Sequence, residues 1–211
     1  MTNRSASLIA TVCFMGWAVL TFQGYLGEFD QWGLSAFRTE HGEPIGTALT
    51  SSLIMLVTHM GDTVTLIVLS LGALAWLYLT SNQDKIVAGL VSIVGLFLLN
   101  PLLKLVFARA RPDVFEHIVN VSSNSFPSGH ALRAAGIYFL IYYLLVNRIP
   151  VNMSRVLFWL CIVIAVSTGV SRVYLGVHWP TDIVASWLVA AAWVLGWREA
   201  LSVEKPSYER A

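Results

Sequence analysis

The stretch Ser171-Arg-Val-Tyr-Leu-Gly-Val-His178-Trp-Pro-Thr-Asp182 separates two apolar runs, residues 154–171 and 180–197, each near the length needed to cross a bilayer. Pro180 suits the first position of a helix, which leaves His178 just ahead of that helix and Asp182 within its first turn. A carboxylate so placed can accept from the proton-bearing nitrogen of His178 and leave the other ring nitrogen free to attack an electrophile. The plainer alternative is a helix-start aspartate stabilised by the dipole beside an interfacial Trp-His pair.

Outward from this hairpin lie four more apolar runs, at residues 8–26, 62–80, 86–103 and 131–147. Of the 211 residues 56% are hydrophobic, only 12% are charged, and eight are tryptophan. Mean hydropathy is +0.69. Soluble domains carry about a quarter charged residues, so the expected fold is all-α: a polytopic membrane protein with six transmembrane helices. The run at 8–26 is longer than a signal-peptide core and no small-x-small site follows it, so it reads as a retained anchor. One integral-membrane domain is expected over residues 1–211, with residues 199–211 as a polar C-terminal tail.

Between the first two runs, Ile45, Leu49, Leu53, Leu56 and Met60 share one helical stripe, while Thr47, Thr50, Ser51 and Thr58 lie off it. That pattern predicts an additional amphipathic helix lying in the membrane interface. It serves either as packing over the helix ends or in lipid entry. The net charge of +1 says nothing about nucleic acid, and without a basic tract or aromatic-basic interleaving no nucleic-acid partner is expected. Cys13 and Cys161 fall inside apolar runs and read as small buried hydrophobes.

With six crossings both termini share a side. An N-terminus inside puts Arg4, Lys85, Arg148, Arg155, Arg198, Lys205 and Arg210 in the cytoplasm. It puts Arg38, Lys104, Arg109, Arg111, Arg133 and Arg172 outside. This bias is nearly level until the cations of the polar islands are set aside for chemistry. The remainder then favours the N-terminus inside.

Two other polar islands reach the same face as His178. Lys104 closes the run at 86–103 and is followed by Arg111-Pro112, in which proline restrains the arginine backbone. Taken alone, this is also what headgroup anchoring looks like. A restrained guanidinium nonetheless suits the planar, bidentate binding of phosphate. Pro127-Ser128-Gly129-His130 opens the run at 131–147. Ser128 suits a helix N-cap, Gly129 permits close backbone approach, and a helix start binds anions. Its plainer reading is a capped helix with a chance histidine.

Lys104-x6-Arg111-Pro112, Pro127-Ser128-Gly129-His130 and Ser171-Arg172-x5-His178-x3-Asp182 together resemble the signature of the type 2 phosphatidic-acid phosphatase superfamily, in order and spacing, with no departure. The motifs cover residues 104–182, and the six-span layout extends the likeness over nearly the whole chain. The resemblance implies a membrane phosphatase that works through a phosphohistidine, without a metal or other cofactor. It implies His178 as nucleophile, Asp182 as its partner and His130 as the acid on the leaving oxygen. Lys104, Arg111 and Arg172 would hold the phosphate, with Ser128 and the Gly129 N–H completing the cradle. A dianionic phosphate repels a nucleophile, and three cations with a helix start offset that repulsion. Asp182 is expected to raise the pKa of His178.

Arg133 lies one turn beyond His130 on the same helical face, as a snorkelling arginine or a candidate second-phosphate contact. Arg109 reads as an exposed or headgroup arginine, Asp62 as the N-cap of the run at 62–80, and His41, His59 and His117 as loop or interface residues. The function expected is hydrolysis of a lipid phosphate or diphosphate at the extracytoplasmic face of a bacterial inner (plasma) membrane. Undecaprenyl diphosphate is slightly favoured over phosphatidate or phosphatidylglycerol phosphate, because Arg133 can serve a second phosphate. The partners are then the lipid substrate and the bilayer. Alternatives are a non-catalytic lipid transporter or headgroup-binding protein, which has no need of the His178–Asp182 pair. A vanadium-dependent haloperoxidase shares such a pocket but is soluble.

Overall fold

The computed structural model describes residues 2–80 and 84–201. The tail expected from residue 199 therefore lies mostly outside the described residues. Among the described residues eight helices follow in order: α1 (Asn3–Phe22), α2 (Gly27–Ser35), α3 (Ala48–His59), α4 (Thr63–Leu79), α5 (Asp84–Phe107), α6 (Gly129–Leu145), α7 (Val151–Tyr174) and α8 (Pro180–Leu201). No strand occurs among the described residues. The expected all-α class holds, and each of the six apolar runs is helical.

Four of these helices, α1, α5, α7 and α8, are long and apolar enough to cross a membrane, and five crossings result if α3 and α4, bent by 43°, are one broken span. The expected six is a higher number. The difference lies in α4 and α6, each of 17 residues, or about 26 Å at 1.5 Å per residue against a hydrocarbon core of about 30 Å.

α6 is the centre of the bundle. It packs against α7 and α8, and also touches α4 and α5. Ala131, Leu132, Ala134, Ile137, Leu140 and Leu144 are all buried, as befits a helix apolar on every side. Small residues permit these approaches: a Cβ on Gly136 would lie 2.2 Å from Leu96 Cδ2, and one on Gly169 would lie 2.6 Å from Ile183 Cγ2. Indole N–H groups tie helices together. Trp17 donates to Thr181 O (3.0 Å), Trp187 to Ala165 O (3.2 Å) and Trp193 to Ser92 O (3.0 Å). Each satisfies a donor that lipid would leave unpaired. Outward-facing Val12, Met15, Val68, Leu71, Leu98, Leu102, Val156 and Val163 leave an apolar belt.

α3 turns its apolar stripe outward and its polar face inward. Leu49, Leu53 and Leu56 are exposed, whereas Thr58 is buried. The helix packs on α7, and Ser51 Oγ lies 3.3 Å from the Tyr174 hydroxyl. The C-terminal end of α3 likewise reaches Arg172 in the last turn of α7.

Candidate active site

The C-terminal ends of α5 and α7, the starts of α6 and α8, and the segment after α5 converge at one end of the bundle. All nine residues singled out from the sequence gather there. Lys104 lies in the last turn of α5, slightly inside the helix rather than at its close. Its Nζ donates to Ser123 Oγ at 3.0 Å and to the carbonyl of Asn124. Arg111 donates through Nε to Ser123 O at 2.7 Å, so one short segment aligns both cations. Arg172 is buried and donates to Thr58 Oγ1 at 2.9 Å. Lys104 and Arg172 lie within electrostatic reach of each other, and each also reaches Arg111 and Arg133.

His178 stands in the turn between α7 and α8, buried at 2% exposure. Its Nδ1 faces Asp182 Oδ2 at 3.3 Å, and its Nε2 faces Arg111 Nη1 at 3.3 Å. A guanidinium only donates, so Nε2 must accept and Nδ1 carries the proton. Asp182 Oδ2 is further held by the Trp179 N–H (3.0 Å) and the Ser125 hydroxyl. Burial pushes the His178 pKa down to about 3, against the opposing pull of Asp182. Asp182 pulls upward as expected, but desolvation of the imidazolium outweighs one carboxylate, so the net shift is downward. Burial likewise lowers Arg111, with Asp182 acting against it.

Ser128 holds the N-cap position of α6, but its side chain makes no capping bond. Its buried Oγ has no partner among the described residues, and neither do the Nε atoms of Arg133 and Arg172. Buried polar atoms are rarely left so. An uncapped helix start, an orphan hydroxyl and orphan guanidinium N–H groups amid four cations match the needs of a tetrahedral oxyanion. Gly129 is needed there: a Cβ would lie 2.8 Å from Asn100 Oδ1 and 3.2 Å from the Arg133 guanidinium. Arg133 thus runs back toward the start of its own helix, as long helical side chains do, with its guanidinium over the Phe97 ring at 5.8 Å.

Three residues have roles that the sequence reading missed. Arg109 is no headgroup arginine: Nη1 donates to Asp182 Oδ1 at 2.6 Å, and Nη2 to Asp30 Oδ2 at 2.7 Å. Asp30, buried in α2, also accepts from Thr181 N and Oγ1, each at 2.9 Å. Burial raises its pKa despite these bonds. Asp62 stands at the N-cap position of α4 without capping it. Its Oδ1 lies 2.7 Å from His130 Nε2, and its Oδ2 lies 2.6 Å from His59 Nδ1. No short-range spacing pairs Asp30 with Arg109 or Asp62 with His130; only His59-x2-Asp62 was a legible local signal. His117 remains a loop residue, its Nε2 2.6 Å from Pro112 O.

Fold and site together define a helical membrane protein with two histidines and several fixed cations gathered at one end of the bundle. The PAP2 superfamily model matches residues 85–203, and the chain belongs to that superfamily. Over 88 residues it is 48% identical to phosphatidylglycerophosphatase B of Bacillus subtilis, covering 41% of this chain and 43% of that protein. Over 161 residues it is 28% identical to undecaprenyl-diphosphatase BcrC of Bacillus subtilis, covering 73% of this chain and 76% of the relative. It is 31% identical over 169 residues to the lipid A 1-phosphatase of Rhizobium etli, covering 67% of this chain and 69% of the relative. The crystal structure of a transmembrane PAP2 type phosphatidylglycerolphosphate phosphatase from Bacillus subtilis superposes with a TM-score of 0.83 at 28% identity, over 92% of this chain and 94% of that one.

Proposed function

We propose that the protein is a lipid phosphatase that hydrolyses a membrane lipid phosphate or diphosphate through a phosphohistidine on His178. The observation that carries this reading is the His178 tautomer. Arg111 and Asp182 take opposite ring nitrogens, and burial keeps the ring neutral, so the Nε2 lone pair lies beside the cationic cradle. Relatives named as phosphatases support the same class.

In the first step Nε2 attacks phosphorus, the ester P–O bond breaks, and His130 gives a proton to the departing oxygen. Asp182 holds the Nδ1 proton as positive charge grows on the ring. Lys104, Arg111 and Arg172 meet the equatorial oxygens, which supplies the charge stabilisation the loose transition state needs. In the second step water attacks phosphorus and gives its proton to neutral His130, while the P–Nε2 bond breaks, releasing inorganic phosphate and restoring both side chains. An apolar cleft of about 380 Å³ between α6, α7 and α8, lined by Ala135, Phe139, Ala165, Trp187 and Ala190, begins about one turn of α6 beyond His130 and suits a lipid tail.

The remaining particulars follow from this reading. Six crossings result if α3–α4 is one broken span and the short α6 is another, with the site at the extracytoplasmic face of a bacterial inner membrane. Arg133 favours a diphosphate such as undecaprenyl diphosphate, because its guanidinium adds a fourth cation beside the cradle.

The test is phosphate release from detergent-solubilised lipid phosphates together with acid-labile, base-stable labelling of the protein. Both are expected in the wild type and with chelator present, since lysine and arginine supply the positive charge. Loss of turnover with chelator and its return with magnesium would overturn the mechanism, as would labelling that survives His178→Ala.

A further inference from the structure

We propose that Asp62 is the positioning residue of His130, and that His59 holds Asp62 in that role. The inference rests on the reading of His130 as the acid. It concerns a residue outside the three motif islands, brought to them only by the bend between α3 and α4.

Asp62 has the backbone geometry of a helix N-cap but has given up the usual capping bond. Both carboxylate oxygens go to histidines instead, 2.7 Å to His130 Nε2 and 2.6 Å to His59 Nδ1. The turn that presents it is pressed onto the acid. A Cβ on Gly61 would lie 3.2 Å from both Cβ and the carbonyl oxygen of His130, and 2.6 Å from Thr168 Cγ2. Thr58, on the same turn, holds Arg172, and Met60 O accepts from the Tyr138 hydroxyl at 3.3 Å. Residues 58–62 therefore form one wall of the cradle.

That wall bears on an electrostatic problem. An acid must be protonated before it acts, yet burial, Arg172 and Arg133 all oppose a positive charge on His130, and Asp62 is the carboxylate set against them. A carboxylate at hydrogen-bond distance also fixes the ring: Nε2–H points to Asp62, and Nδ1, which has no hydrogen bond among the described residues, is left for the leaving oxygen. The two histidines are thus oriented by separate carboxylates on opposite nitrogens, His178 through Nδ1 and His130 through Nε2. The His59 side chain is 57% exposed, so its contribution is to hold the carboxylate rather than to contact substrate.

The test uses the full-length protein in detergent and compares an alkyl lipid phosphate with an aryl phosphate, whose leaving group needs no proton. Asp62→Asn is expected to lower kcat on the alkyl ester at least about tenfold, within the range of general acid catalysis. It should leave the aryl ester within about threefold and KM unchanged. Asp62→Glu should recover part of the loss. Adding Asp62→Asn to His130→Ala should cost nothing further, because the two act as a unit. His59→Ala should give a smaller loss with the same leaving-group preference.

Equal loss on both esters, or losses that multiply in the double variant, would show a merely structural role and overturn the inference. If Asp62→Asn does not fold, Asp62→Glu and His59→Ala decide by the same ratio. Failure of the underlying reading looks different: His130→Ala would then itself lack the leaving-group preference, or His178→Ala would still turn over.

Discussion

Arg109 donates to Asp182 Oδ1 at 2.6 Å from the side opposite His178, and the same guanidinium reaches Asp30 on α2. The carboxylate that faces His178 is therefore itself held by a cation outside the cluster of Lys104, Arg111 and Arg172. Only 17% of the Arg109 side chain is exposed, and the ring of Trp179 covers it at 5.4 Å. Arg109→Gln leaves Asp182 and Asp30 as under-compensated buried charges. Breaking such pairs typically costs about 3–5 kcal/mol, so a large fall in thermal stability is expected, with kcat lowered more than KM is changed. Unaltered stability in a thermal-unfolding measurement would contradict this role.

The two histidines should separate by leaving group. His178→Ala is expected to lose turnover on every ester, because it removes the imidazole lone pair that lies beside the cationic cluster. His130→Ala should lose roughly two to four orders of magnitude on lipid esters and recover much of that on an aryl phosphate. Steady-state rates on the two substrate types check this, and equal rescue of both variants would reverse or remove the assigned roles.

Acid should weaken the fold through His178. Burial moves its pKa from the ordinary 6.5 down to about 3, so the unfolded chain binds a proton between those values while the native state does not. The contribution is fully present above pH 6.5 and is lost as pH falls toward 3. His178→Asn, which does not titrate, should show a shallower decline of Tm across that window. Parallel Tm curves for the two proteins would argue against a buried neutral His178.

Arg133 should matter more for diphosphates. Its loss in Arg133→Leu removes a charge-assisted contact worth about 1.5–3 kcal/mol, or roughly ten- to hundredfold in the ratio of diphosphate to monophosphate kcat/KM. An unchanged ratio would leave no residue-level reason to favour a diphosphate lipid.

The residues of the chain by themselves determined the apolar runs, the all-helical class and the shared face of the three polar islands. Hydrophobic length and motif spacing are local properties, and helix parity then carries Lys104, His130 and His178 to one end. The convergence of those islands is legible for that reason. What tertiary structure decided is which charge meets which. Arg109 and Asp62 looked like a surface arginine and an N-cap because their partners, Asp30 with Asp182 and His130, lie 68 or more positions away in the chain. The net downward shift at His178 was illegible on the same ground. The neighbouring carboxylate is visible in the spacing His178-x3-Asp182, but the desolvation that outweighs it comes from distant segments closing over the ring. Burial is a property of the packed bundle, and so is the turn at residues 58–62 that sets a second carboxylate on His130.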